Sequence, residues 1–135
     1  MTGDGGVLDG FRIGQVPAGV GAEVSDFASE WEDVRFATRV WERQVAEGYR
    51  VHLRIHVLRG DRLTDLAALR DFLAGYLERD PASWDDFSHG TSPGGSSDDQ
   101  VFWLVEPGVG LAVLVDPERV GPDELLATAL SVQPI

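Results

Sequence analysis

The sequence predicts an α+β domain: a mainly antiparallel sheet of about five or six strands packed against one long helix, with a short helix at the C-terminus. Three observations carry this. Tyr49 to Val57 alternates with a period of two, Tyr49, Val51, Leu53, Ile55 and Val57 pointing one way and Arg50, His52, Arg54 and His56 the other. Leu66, Leu69, Phe72, Leu73, Tyr76 and Leu77 recur at helical spacing. Val101 to Val105 and Val109 to Val115 are dense apolar runs joined by Glu106-Pro107-Gly108, a turn signal. Strands gathered on both sides of one helix favour α+β over alternating βαβ units, and no internal repeat is visible.

Taken in order, residues 1–9 are Gly-rich and acidic and are expected to fray. Phe11, Ile13 and Val16 mark a first strand over Gly10 to Val16, ended by Pro17 and the glycines at 19 and 21. Phe27 to Trp31 reads as a second short strand. Val34, Phe36, Thr38 and Val40 alternate with Arg35, Ala37, Arg39 and Trp41 in a third, and the polar stretch Glu42 to Gly48 turns it back into the Arg/His strand.

Thr64 is placed to cap the helix, with Asp65 in its first turn, Arg79 in its last and Pro81 stopping it. Residues 82–100, rich in Ser, Gly and Asp, are expected to form a flexible loop tethered by Trp84 and Phe87. The two dense strands follow. Gly121-Pro122-Asp123-Glu124 then opens a final helix with Leu125, Leu126, Ala129 and Leu130 turned inward. One core is expected, drawing on Val51, Leu53, Ile55, Leu69, Phe72, Leu73, Trp103, Leu111 and Val113, so the 135 residues make a single domain.

The charge balance narrows the function. Twenty-three acids face eleven bases, a net charge of −12, which repels nucleic-acid phosphates and anionic membranes and suits a basic protein partner or plain solubility. Every base other than His is Arg, and Lys, Asn and Cys are absent. That bias fits a GC-rich genome. Without Cys there are no disulfides or thiolate sites, no segment reaches the roughly 20 apolar residues of a membrane span, and no secretory leader is visible. A cytoplasmic location is expected.

The residues with candidate chemistry are few. Arg50, His52, Arg54 and His56 align donors and positive charge on one strand face, where they could read an anionic group or be balanced by acids of the chain itself. His52 and His56 lie about 13 Å apart along a strand, too far for one metal ion. Asp85, Asp86, Ser88 and His89 name a carboxylate, a hydroxyl and an imidazole without the rigid elbow that a catalytic triad needs. Glu30, Glu32, Asp33 and Glu42 lack calcium-loop spacing and read as partners for Arg35, Arg39 and Arg50. The glycine runs match no phosphate-binding fingerprint. Trp103 belongs in the core, whereas Trp41, on the face opposite Val34 and Phe36, is expected to be exposed unless that side of the sheet is covered, and joins the binding candidates. No catalytic residue, metal ligand set or cofactor is indicated, which points away from an enzyme.

Trp31-Glu32-Asp33-Val34, Arg39-Val40-Trp41-Glu42 and Phe102-Trp103-Leu104-Val105-Glu106-Pro107-Gly108 resemble runs in small acidic single-domain proteins of high-GC actinobacteria to which no activity is assigned. The resemblance implies no cofactor, partner or site residue. Three functions follow from the residues. The first is a non-enzymatic binding or regulatory domain that engages another protein, in the manner of an inhibitor or immunity protein. The second is a small-ligand or enzymatic pocket reading an anionic group with the Arg/His strand. The third is a homo-oligomer built through sheet edges. A cavity of several hundred Å³ lined by that strand and aromatics would favour the second.

Overall fold

A computed structural model describes residues 4–135 of the chain. Its main sheet has seven strands, all antiparallel to their neighbours, in the order β3-β4-β5-β9-β8-β7-β6. These are β3 (Glu23–Trp31), β4 (Val34–Val45), β5 (Gly48–Arg59), β6 (Asp85–His89), β7 (Ser92–Ser96), β8 (Gln100–Glu106) and β9 (Val109–Val115). A second sheet of three strands has the order β1-β2-β10, from β1 (Gly6–Leu8), β2 (Phe11–Ile13) and β10 (Val132–Pro134). The helices are α1 (Leu66–Tyr76) and α2 (Pro122–Leu130). The α+β class and the antiparallel sheet are as expected. The strand number is not, and α1, at 11 residues, is shorter than a long helix.

Two stretches read as irregular are strands. Asp9 and Gly10 both take positive φ and join Leu8 to Phe11, the two-residue turn whose twist suits a hairpin, so Gly6–Leu8 is paired rather than frayed. Residues 1–3 lie outside the described residues. The expected flexible loop at 82–100 contains the β6–β7 hairpin, turning at Gly90-Thr91. Composition misleads there because the glycines serve packing: a Cβ on Gly94 would lie 1.9 Å from the Phe102 carbonyl oxygen, and one on Gly95 would lie 2.6 Å from Phe102 Cζ. Only bare backbone lets β7 sit this close to β8. Trp84 does anchor the segment, buried against Phe102 and donating from Nε1 to Gln100 Oε1 at 3.0 Å.

The helix ends also differ from expectation. Asp65, rather than Thr64, caps α1 by accepting from the Ala68 N–H at 2.8 Å. Arg79 lies beyond the helix and pairs with Asp99 at 3.1 Å. Helix α2 starts as expected, with Gly121 at the cap, Pro122 in the first turn and Asp123 and Glu124 at its positive end. Leu125 and Ala129 are buried, Leu126 is partly so, and Leu130 is exposed.

The buried residues form two cores, not one, because strand alternation sends neighbours to opposite faces of a sheet covered on both. On one face Leu53, Ile55, Val57, Trp103, Leu111 and Val113 meet Leu125 and Ala129 of α2 and Phe11, Ile13 and Val132 of the small sheet. On the other, Leu69, Phe72 and Leu73 of α1 meet Val34, Phe36, Leu58, Phe102, Leu104 and Ala112. Trp41 joins the first core, 6% exposed and opposite Leu53 in register, so its expected exposure is overturned by the layer that covers that face. Val51 is only partly buried, and Tyr49, expected to face the core, is 60% exposed where the β4–β5 hairpin runs past the body.

Candidate functional site

The Arg/His strand does not present four groups on one face. Pairing between β4 and β5 sets Trp41 opposite Leu53 and Glu42 opposite Val51, which leaves His52 as an extra residue, a β-bulge. One added residue reverses the alternation beyond it. Arg50 and His52 therefore turn to one side of the sheet, and Val51 replaces His52 beside Arg54 and His56 on the other.

Arg50 and His52 each find partners within the chain. Arg50 Nε donates to Asp116 Oδ2 at 2.6 Å, and its Nη2 donates to Glu118 Oε2. Burial alone would raise the Asp116 pKa, but the Glu118 N–H and the Arg50 guanidinium outweigh it, and the carboxyl lies below its ordinary range. His52 is 2% exposed and accepts the Gly21 N–H at Nδ1, 2.9 Å away, fastening the segment that follows Pro17. Burial, with Arg119 acting in the same direction, pulls its pKa down, in keeping with a neutral ring that accepts.

Arg54 and His56 sit in a groove of about 320 Å³ on the α1 side, bounded by Phe27 and Ser29 of β3, Thr38, Val40 and Glu42 of β4, Val51, and Tyr76 of α1. His56 is 3% exposed, so its expected place on a solvated row is overturned. It lies inside because β3 and β4 extend the sheet past it and Tyr76 covers it. The ring stands perpendicular to Phe36 and Tyr76, at centroid distances of 5.4 and 6.0 Å. Its Nδ1 lies 2.7 Å from Thr38 Oγ1, and among the described residues Nε2 has no hydrogen-bond partner. Burial lowers its pKa to about 3, with the Arg54 charge adding to the effect, so the ring is neutral at ordinary pH.

Donor counting assigns the tautomer. The Thr38 hydroxyl has no hydrogen-bond partner other than Nδ1 among the described residues. With the hydroxyl donating to Nδ1, the ring hydrogen resides on Nε2 and that N–H alone is left without a partner, whereas the other tautomer would strand both the hydroxyl hydrogen and the Nε2 lone pair; we therefore assign the hydrogen to Nε2. Arg54 lines the same groove and takes part in none of the ion pairs among the described residues. Glu42, likewise outside those pairs, stands on the same wall.

The other sequence candidates separate. Ser88 and His89 are neighbours on β6, and His89 stacks on Trp103 at 4.5 Å with Nε2 against the Ala129 carbonyl at 3.1 Å, so no triad forms. Arg39 pairs with Asp26 at 2.8 Å rather than with the predicted acids, and Glu32 reaches Arg62 at 3.7 Å. No group of three or more His, Asp or Glu among the described residues is placed to hold a metal ion. No helix there is long and apolar enough to cross a membrane. Sequence reasoning missed Thr38, Phe27 and Tyr76. The first two are cross-strand partners on β4 and β3 with no local sign of function, and Tyr76 reads as one more residue of the helix stripe. No family model, curated protein or solved structure matches the chain.

Proposed function

We propose that the chain binds a small organic anion with a flat apolar or aromatic body in the groove between β3, β4, β5 and α1. The observation that carries this reading is the pairing of a guanidinium with no ion pair among the described residues, Arg54, with a buried imidazole donor, His56 Nε2, on a wall flanked by Phe27 and Tyr76. A buried donor without a partner costs about 1–3 kcal/mol, and a ligand acceptor that meets it recovers that cost on binding. A carboxylate satisfies Arg54 and His56 together, since both offer N–H groups. The aromatic side chains provide faces for a ring, and a volume of about 320 Å³ suits a ligand of one or two rings. A basic protein partner is the other reading, and its support is the net charge of −12.

Calorimetric titration with 2-naphthoate and with its neutral counterpart 2-naphthamide tests the reading. The expected result is about tenfold tighter binding of the acid, the worth of roughly one charge-assisted hydrogen bond. The preference should vanish in Arg54→Gln and survive in Arg50→Gln, whose side chain faces away. Absence of binding, or equal binding of acid and amide by the wild-type chain, overturns the reading.

A further inference from the structure

We propose that β3 pairs with β3 of a second copy of this chain, antiparallel, about a two-fold axis through Phe27. The surface and its register both come from the edge of the main sheet, and neither depends on what the groove binds.

Strand β3 is the outermost strand, nine residues long, paired on one flank with β4 in unbroken register from Glu23 to Trp31. No described strand covers its outer flank. Long regular edges expose a row of backbone N–H and C=O groups, and folded chains usually blunt them with Pro, a bulge or charged side chains, Lys above all. β3 has no Pro, bulge or Lys, and its charges are Glu23, Asp26 and Glu30. Between them it carries three exposed large apolar side chains: Val24 at 51%, Phe27 at 55% and Trp31 at 40%.

Symmetry limits how two copies can pair. Residues opposite each other in an antiparallel pair share a face, so a two-fold axis normal to the sheet must set one residue against its own copy. Centring on Asp26 sets carboxylate against carboxylate, and centring on Ala28 sets Asp26 against Glu30. Centring on Ser25 or Ser29 pairs only about half of the strand. Centring on Phe27 pairs all nine residues, with Glu23 opposite Trp31, Val24 opposite Glu30, Ser25 opposite Ser29 and Asp26 opposite Ala28. No acid then faces an acid, and the two Phe27 rings meet on the α1 side. Cross-strand aromatic pairs stabilise such a junction, whereas like charges placed opposite oppose it. Because Phe27 also bounds the groove, the two grooves adjoin across the axis.

Each copy carries a net charge of −12, so repulsion opposes association at low salt and is screened at high salt. Sedimentation equilibrium of the full chain should therefore give a mass approaching twice 14.7 kDa as salt is raised. Cysteine substitution reads the register on a chain that has no cysteine of its own. Phe27→Cys is expected to cross-link to itself under mild oxidation. Ser25→Cys alone is not, because its copy lies about 13 Å away, but a mixture of Ser25→Cys and Ser29→Cys is, and that mixture keeps Phe27. Phe27→Lys should be folded by circular dichroism and monomeric. A monomer at every salt and protein concentration overturns the proposal, as does self-cross-linking of Asp26→Cys or Ala28→Cys in place of Phe27→Cys.

Discussion

Thr38 and His56 face each other across β4 and β5, hydroxyl to Nδ1 at 2.7 Å, in a pair that the strand register sets side by side beneath Tyr76. With the hydroxyl assigned as the donor of this bond, the imidazole hydrogen resides on Nε2. The register supports the pair and the packing of α1 excludes water from it.

Thr38→Val removes the hydroxyl and leaves Nδ1 buried without its bond. The expected loss is about 1–3 kcal/mol, the cost of stranding a buried polar atom. Following it with His56→Leu should restore part of that loss, since replacing both partners is cheaper than removing one. Urea denaturation of the four proteins in the cycle measures the coupling, expected near 1 kcal/mol. A Thr38→Val protein as stable as wild type would show that the bond contributes nothing.

The His56 pKa of about 3 lies below the ordinary 6.5, so the unfolded chain takes up this proton first as pH falls. Stability linked to the site is complete above about pH 6.5 and is lost as pH drops toward 3, at roughly 1.4 kcal/mol per pH unit. His52 shifts in the same direction and adds to the decline. Denaturation at about pH 7 and pH 5 should give a shallower loss for His56→Gln than for wild type. Equal slopes would mean that His56 titrates normally in the folded protein.

Glu42 shares the groove wall with Arg54 and repels any anion placed there. Glu42→Gln is expected to tighten 2-naphthoate binding by roughly two- to fivefold, an effect that shrinks as salt is raised. The amide should bind unchanged. If the acid binds no better to Glu42→Gln, its charged group sits elsewhere.

Gly94→Ala places a methyl group 1.9 Å from the Phe102 carbonyl oxygen, against backbone that cannot rotate away. A loss of about 2–3 kcal/mol is expected, toward the upper end of overpacking costs. For the same reason, deleting Pro93 to Asp98 should abolish cooperative thermal unfolding, because it removes β7 from the sheet. A deleted protein with an unchanged melting transition would argue that β6 and β7 are dispensable.

The sequence by itself determined what depends on local pattern. Alternation located β4 and β5, dense apolar runs around a Pro-Gly turn located β8 and β9, helical spacing located α1, and a proline following glycine located the start of α2. It also offered Arg50, His52, Arg54, His56 and Trp41 as binding candidates, of which Arg54 and His56 line the groove. Tertiary structure decided the rest. The β6–β7 hairpin escaped because its glycines answer to the approach of Phe102, a residue outside the segment. Trp41 changed from exposed to buried because a second layer, remote in sequence, covers its face. The row of four on β5 divided at His52 because an unmatched residue against β4 reverses alternation, and a bulge is set by the partner strand. His56 became a buried neutral donor through Thr38 and Tyr76, which no spacing within its own strand could reveal. Periodicity reports which way a side chain points from its own backbone. What waits on that side depends on which distant segments the fold brings there.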